Sequence, residues 1–563
     1  MYDANYKLSA AATYDLEKTE AGYQFTIKAD STWIDGKYIK FPVTIDPIIS
    51  TQKKGVIDPT FVASKTPGVN FSTFGSALVG VDTSAYNKCR TLVKIQLPEL
   101  NHGDIIQGAY LNLLQYKMSS YTTNNPDMPV NAYRILSNWN VSTVTWNTMP
   151  TTDANEIDYN FISVKDSGKS ITKSFDITKA AKSWYDGDDS EDDNFGIMLK
   201  AESETGANAD VAINATYYTE NNQQVESFPL LVVNYRNTKG LENYYSYTPV
   251  TAGTAGTAYV NNHTGNLVFE QAGVSTSGLK MPVSVYPVYN VNNSSEPRYN
   301  SNQISGFGWK LNIQQYIEDS SKHGMSGTSY NEYPYVYVDE DGAVHYLEKT
   351  VINGNTTYID EDGLGLTMTK NSNSYTMRDS MDTVMTFGSD GNLRSVKDSN
   401  GNTMTITYTD GIITSVKDGA GKIITISNSA DAKITGITDP AGRLTKYKTE
   451  YGKLTQVTGP DGIIETYEYD DKTLLKVSDS TGYGIEFTYL TKEKGQRVSA
   501  VREFSSKNNT ITYGQKIGFN YNDFNSTKIR TSGADSIYDT SDDVITTYRF
   551  DNSGRASKVC GIK

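Results

Sequence analysis

Hydrophobic and polar residues alternate in short runs through the C-terminal third of the chain, and these runs recur at a fixed spacing. Turn glycines lie 20, 21, 20 and 20 residues apart, at Gly401, Gly421, Gly442, Gly462 and Gly482. Each period contains a short apolar run, a turn and a longer run rich in Ile, Thr and Tyr, which is typical of two β-strands joined by a turn. A repeat of this length predicts one hairpin unit stacked many times.

The same alternation predicts which side chains share a face of the repeated sheet. From Glu465 to Tyr469 we assign both tyrosines to one face and both glutamates to the other. One hairpin cannot bury a core, so neighbouring hairpins must pair edge to edge. Amphipathic runs of helical period are nearly absent, which predicts an all-β protein. A β-solenoid or a propeller is the alternative, although a two-strand period is too short for a four-stranded propeller blade.

A second set of motifs lies upstream of the repeats. Trp139 precedes the string VTWNTMP, which contains Trp146, and Trp184 follows it. These motifs resemble the DNRLRE domain, a jelly-roll-like β-sandwich related to carbohydrate-binding modules, over residues 49–237. Because the three tryptophans belong to structural motifs of that family, we expect their side chains to pack in the core rather than form an exposed platform for sugars.

Short strings within the repeats point to a further family. Tyr469 is followed by Asp470 in a Tyr-Asp pair, Phe550 begins the string FDNSGR, and Phe307 begins FGWKLN. These strings resemble the YD repeats and the N-terminal signature of RHS proteins, which are bacterial and associated with the cell wall. The resemblance implies a YD-repeat β-sheet array that forms part of a hollow shell. In that family the shell encloses a toxic C-terminal domain, which this chain, interpreted as an internal fragment, does not contain.

The motifs and local composition divide the chain into five segments. Residues 1–48 are predicted to be the C-terminal tail of a truncated upstream β domain, and residues 49–237 the sandwich. Residues 238–257, rich in Thr, Gly and Ala, are predicted to be a linker. Residues 258–377 are assigned to the N-terminal β region of the RHS shell, and residues 378–563 to incomplete YD repeats.

Charge and composition narrow the compartment and the partners. The formal net charge of −14 argues against nucleic acid and against anionic membrane surfaces as partners. No apolar run reaches membrane-spanning length. The two cysteines, Cys89 and Cys560, form neither a metal-binding spacing nor a disulfide framework. Together with the family resemblance, these features favour a secreted or cell-surface protein, although the first residues have no signal-peptide pattern.

Residues that commonly perform catalysis do not form a motif in this sequence. The four histidines, His102, His263, His323 and His345, are scattered and match no metal-binding spacing. No nucleophile elbow of the G-x-S-x-G type occurs. The sequence therefore predicts no enzymatic activity and no cofactor other than a possible structural calcium ion.

Two sets of side chains are candidates for ligand binding. If the sandwich binds a glycan, exposed tyrosines such as Tyr217 and Tyr218 are candidates for stacking on sugar rings. An oxygen-rich loop that resembles a loop of RHS proteins is a candidate for calcium. Its candidate ligands are Asp535, Asp539, Asp542 and Asp543. Ser536 and Asp539 replace two glycines of that loop.

The function predicted from the sequence is that of a non-catalytic scaffold at the cell surface or in the medium. It would form part of a shell that encloses and delivers a C-terminal toxin. The alternative is an adhesin that binds cell-wall or host polysaccharide through the sandwich. The expected partners are polysaccharide and the toxin domain, with no nucleic acid and no membrane insertion.

Overall fold

The structure is a computed structural model, and the chain divides into two compact units. One unit comprises Met1–Leu100 and Ile106–Tyr235, and the other Asn101–Ile105 and Arg236–Lys563. The structure describes residues 12–19, 22–29, 49–51, 57–74, 76–82, 85–98, 105–119, 127–163, 166, 171–186, 194–204, 210–214, 229–236, 240–293, 307–323, 327–352, 354–361, 363–490, 497–508, 510–523, 526–551 and 553–562.

Antiparallel β-strands dominate both units, which confirms the predicted all-β class. The α-helices within the described ranges are short, Thr178–Asp186 and Gly327–Glu332. Short 3-10 helices include Trp146–Thr148, Gly253–Ala255, Val291–Asn293 and Ser320–His323. The strands of the N-terminal part are β1 (Ala12–Thr19), β2 (Gly22–Ala29), β3 (Ile49–Thr51), β4 (Ile57–Ala63), β5 (Ser76–Asp82), β6 (Asn87–Ile95), β7 (Ile105–Ser119), β8 (Asp127–Arg134), β9 (Asp158–Ser163), β10 (Ile171–Asp176), β11 (Ile197–Ala201), β12 (Asp210–Asn214) and β13 (Leu230–Arg236).

Strands distant in sequence pair with one another in the first unit. Their order is β3-β13-β7-β12-β5-β6-β11-β8-β9, with β10 also on β7 and β4 also on β6. Val93, Leu113, Val130, Phe175 and Leu231, which come from five different strands, nevertheless pack in one buried cluster. A sheet whose two ends bury their inner faces against each other is a β-sandwich, as the sequence predicted.

The second unit begins with short strands and continues into a long meander. The short strands are β14 (Tyr247–Thr251), β15 (Gly256–Asn261), β16 (Leu267–Gln271), β17 (Val274–Ser275), β18 (Ser284–Val285), β19 (Pro287–Asn290) and β20 (Trp309–Leu311). Strands β14, β15, β16, β19 and β20 form a five-stranded sheet, here called the inner sheet, and β17 pairs with β18.

The meander is one antiparallel sheet of 22 strands, here called the repeat sheet, in which each strand pairs with the next along the chain. Its strands are β21 (Tyr316–Asp319), β22 (Tyr335–Val338), β23 (Val344–Ile352), β24 (Asn355–Asp360), β25 (Thr367–Lys370), β26 (Ser374–Arg378), β27 (Val384–Gly388), β28 (Leu393–Lys397), β29 (Thr403–Thr409), β30 (Ile412–Lys417), β31 (Ile423–Asn428), β32 (Ile434–Thr438), β33 (Leu444–Glu450), β34 (Lys453–Thr458), β35 (Ile464–Asp470), β36 (Thr473–Asp479), β37 (Tyr483–Leu490), β38 (Arg497–Lys507), β39 (Thr510–Asp523), β40 (Ser526–Thr531), β41 (Val544–Phe550) and β42 (Ala556–Ile562). The sheet runs without a break across residue 377.

The repeat glycines occupy equivalent turns, as their spacing predicted. The φ angles of Gly401, Gly421, Gly442, Gly462 and Gly482 are 86°, 90°, 81°, 85° and 94°. In each turn the glycine N–H donates to the carbonyl oxygen three residues earlier, at 3.0 Å. A positive φ is favourable for glycine because it lacks a Cβ atom. The periodic interpretation of the sequence is therefore confirmed at the level of the backbone.

A register shift also recurs in six successive hairpins of the repeat sheet, from β27–β28 to β37–β38. A shift of this kind inserts one extra residue into one strand and increases the local twist. The shifts fall at Thr386/Phe387, Thr407/Tyr408, Ser427/Asn428, Lys448/Thr449, Glu468/Tyr469 and Thr488/Tyr489. Their spacing repeats that of the glycines, so turn and bulge together define the structural period.

The start of the repeat sheet contacts a later part of the same sheet. The N–H of Ile317 in β21 donates to the Gly391 carbonyl at 2.9 Å, and the N–H of Leu393 donates to the Gln315 carbonyl at 2.9 Å. Gly391 lies in the turn between β27 and β28. The backbone of β21 is therefore hydrogen-bonded to its sequence neighbour β22 and to this turn, and the sheet curls back on its own first strand.

The inner sheet packs against the repeat sheet in one core. The cluster includes Phe269 and Trp309 of the inner sheet and reaches from Ile317 in β21 to Ile529 in β40. A flat sheet of 22 strands would be about 100 Å wide, so a shared core requires the repeat sheet to curl around the inner one. The indole N–H of Trp309 donates to the Tyr469 hydroxyl at 2.8 Å, which links the two sheets.

The face assignment made for β35 is wrong for one residue. Glu465 is buried on the same face as Tyr467, whose hydroxyl donates to the Glu465 carboxylate at 3.1 Å. Gln271 of the inner sheet donates to the same carboxylate oxygen at 3.0 Å. A side-chain period of two puts residues 465, 467 and 469 on one face, and these two polar partners allow the carboxyl group to be buried there.

Part of the predicted linker is packed structure. Val250 of β14 and Ala252 and Ala255, which follow it, are buried in the same core as the inner sheet. Gly256 has a φ of 137°, and a Cβ atom there would lie 2.0 Å from the Glu270 carbonyl oxygen. Gly256, one of the small residues that suggested a linker, instead allows β15 to approach β16 closely.

Candidate carbohydrate-binding face and buried carboxylate–histidine cluster

The three motif tryptophans of the sandwich differ in burial. Trp184 is 1% exposed and belongs to the main core, and Trp139 is 8% exposed and donates its indole N–H to the Phe195 carbonyl at 2.7 Å. Trp146 is only half-buried, with the Arg90 guanidinium 4.9 Å from its ring centroid. The expectation of core packing therefore holds for Trp184 and Trp139, whereas Trp146 lies at the rim of a smaller cluster.

An exposed aromatic pair lies on the last strand of the sandwich order. Tyr159 and Phe161 in β9 are 42% and 41% exposed, and their ring centroids are 5.7 Å apart in an edge-to-face arrangement. Both side chains lie on the same face because they are two residues apart on a strand. Their exposure identifies this face as the outer one. Large aromatic side chains are usually buried in a monomeric domain, so two exposed together are informative.

Polar side chains continue this face onto the neighbouring strands. Asn131 in β8 lies opposite Tyr159, and Lys200 in β11 lies opposite Asn131. The Lys200 ammonium is 4.4 Å from the ring centroid of Tyr133, and the Asn131 amide donates to the Tyr133 hydroxyl at 3.4 Å. The face thus combines aromatic rings with amide, hydroxyl and ammonium groups, which is the chemistry that stacks on sugar rings and bonds their hydroxyl groups.

The glycan candidates chosen from the sequence, Tyr217 and Tyr218, lie outside the described residues, so they remain predictions. The sequence contained a signal for the exposed pair, because the string DYNFIS of β9 alternates polar and aromatic residues. Alternation alone does not reveal which face of an edge strand is buried, and for this reason Tyr159 and Phe161 were missed.

The four candidate calcium ligands lie in one loop between β40 and β41. The Asp543 carboxylate accepts N–H groups of Asp539 at 2.7 Å and Gly533 at 3.2 Å, and it lies 3.3 Å from the Arg530 guanidinium. Asp539 pairs with the same guanidinium. Asp542 accepts the Thr540 hydroxyl at 2.7 Å.

Positive φ angles explain how this loop forms without its two glycines. Ser536 has a φ of 57° and Asp539 a φ of 74°, so both non-glycine residues adopt the conformation that glycine favours. Asp535 accepts the Ile537 N–H at 2.8 Å. The calcium interpretation stays a prediction. Measurement of the melting temperature of the chain at increasing calcium concentration would test it.

A buried cluster that the sequence did not predict lies in the second unit. It joins Glu242, Asp339 and His345, whose potential ligand atoms all lie within 4.8 Å of one another. The His345 Nε2 atom is 3.2 Å from Glu242 Oε1 and 3.1 Å from Asp339 Oδ2. In the part of the chain that the structure describes, this is the one group of three such side chains with ligand-like spacing.

Local backbone geometry fixes the carboxylate of Asp339. Its Oδ1 atom accepts the N–H groups of Asp341, Gly342 and Ala343 at 3.1, 3.0 and 2.9 Å, so its Oδ2 atom is left facing His345. Asp339 begins the turn between β22 and β23, and Gly342 closes it with a φ of 91°. Its sequence, DEDG, resembles the Asp/Gly turns of the repeats. This resemblance concealed the contribution of Asp339 to the cluster.

Two further ionisable groups adjoin the cluster. The Lys310 ammonium is buried and donates to the Asp339 carbonyl, and the Asp341 carboxylate accepts the Leu241 N–H at 2.5 Å. Burial raises the pKa of Asp341 well above its ordinary value, and the Asp339 and Glu242 carboxylates raise it further. Burial opposes ionisation of Asp339 too, but the hydrogen bond from His345 and the charge of Lys310 leave the pKa of Asp339 below its ordinary value.

No sequence spacing would have revealed this cluster. Glu242 precedes β14, whereas Asp339 and His345 lie about a hundred residues later, at the β22–β23 hairpin of the repeat sheet. Only the packing of residues 240–247 against that hairpin brings the three side chains together. The histidines were interpreted as scattered because sequence motifs record neighbours along the chain and not across a sheet.

Comparison with known proteins finds a family that is similar to the first domain. Residues 50–233 match carbohydrate-binding module family 96. This segment is thus similar in sequence to that family. In the described ranges, no helix is both long and apolar enough to cross a bilayer.

Curated relatives extend the similarity to particular proteins. The chain is 30% identical over 202 residues to the tRNA nuclease WapA of Bacillus subtilis strain 168, and 28% identical over 201 residues to the tRNA3(Ser)-specific nuclease WapA of Bacillus spizizenii. Each match covers 34% of this chain and 8% of the relative. The chain thus spans less than a tenth of the length of these nucleases, to which it is distantly similar.

Solved structures with similarity to the chain include two toxin assemblies. One is a TcdB2–TccC3–Cdc42 complex, with 12% identity, a TM-score of 0.23, and coverage of 57% of this chain and 17% of the other. The second is a Photorhabdus luminescens Tc holotoxin pore, with 13% identity, a TM-score of 0.23, and coverage of 55% and 16%.

Proposed function

We propose that this chain is a non-catalytic scaffold, part of an RHS shell that encloses and delivers a C-terminal toxin. The observation that carries the proposal is the repeat sheet, in which turn and bulge recur every 20 or 21 residues. Each strand pairs with its sequence neighbours, so adding further repeats extends the sheet without changing the order in which its strands pair. Its inner face is apolar and curls around other polypeptide, here the inner sheet.

The relatives support the same role. They are named as nucleases that act on tRNA, and the matched segment is 8% of their length. We assign toxic activity to a different part of such proteins and none to this chain, whose net charge of −14 also disfavours an RNA-binding surface. The proposed location is the cell wall, the cell surface or the medium, with the toxin domain as partner and without membrane insertion.

Deletion of whole repeats tests the scaffold proposal. In the gene product that contains this chain, removal of residues 443–482 would delete two periods and keep the turn-to-turn register. We expect the toxin domain to become sensitive to protease, because two hairpins of wall are lost. Deletion of residues 50–233 is the matched control and should leave that protection unchanged. Equal protection in the repeat deletion and the parent would contradict the proposal.

The second proposed function is binding of cell-wall or host polysaccharide by the sandwich. The specific observation is the match to carbohydrate-binding module family 96 together with the exposed Tyr159 and Phe161 rings beside Asn131 and Lys200. Stacking of sugar rings on aromatic side chains gives affinity, and the polar groups orient the hydroxyl groups. A carboxylated sugar would also pair with the ammonium group of Lys200.

Binding to immobilised polysaccharides tests this assignment in the full chain. Tyr159→Ala and Phe161→Ala should each weaken binding, because each removes one aromatic ring. Tyr451→Asn, a change at a 95% exposed tyrosine in a turn of the repeat sheet, is the control and should bind as the parent does. Unchanged binding in both sandwich variants would place the glycan site elsewhere, and no binding by the parent would remove this function.

A further inference from the structure

The buried cluster of Glu242, Asp339 and His345 contains a geometric conflict if only protons occupy it. Two carboxylate oxygens, from Glu242 and Asp339, approach the same nitrogen of His345 at 3.2 and 3.1 Å. That nitrogen carries at most one hydrogen, so it cannot donate a full hydrogen bond to both. Ligand atoms of one tetrahedral metal site with bonds of 2.0–2.1 Å lie about 3.3 Å apart, which is close to the two distances measured from His345 Nε2.

The charges of the cluster point in the same direction. Glu242, Asp339 and Asp341 are buried carboxyl groups, and the buried cationic side chains beside them are Lys310 and His345. A buried carboxylate is costly unless it is paired or binds a metal ion. A divalent cation between Glu242 and Asp339 would contact both carboxylates directly, which the single His345 nitrogen cannot do with one hydrogen.

We propose that Glu242 Oε1, Asp339 Oδ2 and His345 Nε2 bind one divalent transition-metal ion. One imidazole nitrogen with two carboxylate oxygens suits Zn²⁺ best and Mn²⁺ or Fe²⁺ next, because calcium prefers oxygen ligands alone. The three N–H groups that hold Asp339 Oδ1 preorganise this ligand in the way that outer-shell hydrogen bonds do in metal sites. Because the site is buried, its role is structural.

The metal ion would connect two parts of the second unit that are far apart in sequence. Glu242 lies just before β14, and Asp339 and His345 flank the turn between β22 and β23. A shared ion would fix the segment just before β14 of the inner sheet to the β22–β23 hairpin of the repeat sheet. Since the ligands come together only in the folded state, binding free energy becomes folding free energy.

The experiment uses the full chain, stripped with a chelator and reloaded with Zn²⁺, Mn²⁺ or Ca²⁺ alone. We expect one equivalent of Zn²⁺ by elemental analysis, a higher melting temperature in Zn²⁺ than in chelator, and X-ray absorption showing one imidazole and otherwise oxygen ligands. Absence of bound metal with equal melting temperatures would overturn the proposal. So would an absorption spectrum with sulfur or several imidazoles, which would locate the metal elsewhere.

Matched variants separate a metal site from a buried ion pair. Glu242→Gln and His345→Gln should lose the bound equivalent and the response to zinc. His323→Gln is the control, because His323 pairs with the Glu318 carboxylate at 2.8 Å and is not part of the cluster, and this variant should keep both the bound equivalent and the response to zinc. If His345→Gln does not fold, Glu242→Gln decides, since it preserves shape and leaves Asp339 paired with His345. A folded Glu242→Gln variant that still binds one equivalent with the parent's affinity would contradict the proposal.

Discussion

The sandwich and the repeat sheet bury apolar side chains through opposite kinds of connection. In the sandwich, β7 pairs with β10, β12 and β13, and its core joins strands from most of the first unit. In the repeat sheet each strand pairs with the next one along the chain. Non-local pairing makes one cooperative core, whereas nearest-neighbour pairing makes stability a sum over units. Damage should therefore spread through the whole sandwich but only to adjacent hairpins in the repeat sheet.

The largest expected effect is in the sandwich core. Trp184→Ala should lower the free energy of unfolding of the sandwich by about 3–5 kcal/mol, because it leaves a large cavity among fully buried side chains. Trp146→Ala should cost much less, about 1 kcal/mol, because its ring is half-buried. Calorimetry of the full-length Trp184→Ala chain should show a lower melting temperature for the transition of the sandwich and an unchanged transition for the second unit. A shift of both transitions would show that the units do not unfold separately.

A buried acid in the repeat sheet should produce a dependence on pH. Burial raises the pKa of Glu465 to about 7, despite hydrogen bonds from Gln271 and Tyr467. Because this pKa is above the unfolded value, its contribution to stability is full below pH ~4.5 and is lost as pH rises through about 7.

Glu465→Gln should thus gain stability relative to the parent by roughly 2 kcal/mol between pH 5 and pH 8. Glu468→Gln, on the same strand but with an exposed side chain that pairs with Lys476, is the control and should not show this change. Denaturant unfolding at the two pH values measures both. Parallel behaviour of the two variants would show that Glu465 ionises as an exposed glutamate does.

Two glycines in equivalent turns should differ in cost. A Cβ atom at Gly462 meets nothing within 4 Å, whereas at Gly482 it would lie 2.1 Å from the Ser506 carbonyl oxygen. Gly462→Ala should cost about 1 kcal/mol from its positive φ alone, and Gly482→Ala more, because the hydrogen bond from the Ser506 N–H to the Gly482 carbonyl, at 2.7 Å, must also open.

Hydrogen exchange shows how far each of these changes spreads. Loss of protection should reach the hairpins next to the substituted turn and stop there, because the repeat sheet is stabilised by its neighbours. Loss confined to the turn itself would mean independent hairpins. Loss throughout the second unit would mean that the repeat sheet is as cooperative as the sandwich, which would remove the contrast between them.

The sequence predicted most of the repeat sheet because its determinants are local. A glycine with positive φ, an aspartate that accepts N–H groups in the turn and an alternating strand all lie within 20 residues of one another. The start of the inner sheet was assigned to a linker, because Val250 and Ala252 are recognisable as core residues only when a distant sheet covers them. Glu465 was assigned to the wrong face, although strict alternation puts residues 465, 467 and 469 on the same face.

The candidate sites were harder to predict than the fold. Tyr159 and Phe161 could not be distinguished from core aromatics, because exposure on an edge strand depends on which strands cover it. Glu242 and His345 are 103 residues apart, and their meeting depends on how the inner sheet is seated. Trp146 was expected in the core from its motif, but a motif fixes a position in the fold and not the depth of burial.

The bulge that recurs at the same point of successive hairpins makes the repeat a unit of growth. Duplication or loss of one whole period moves the edge of the sheet by two strands, about 10 Å, and leaves every inward side chain inward. An insertion of one residue within a strand would instead turn the following side chains outward. The width of such a sheet is therefore set by the whole number of repeats that the gene encodes.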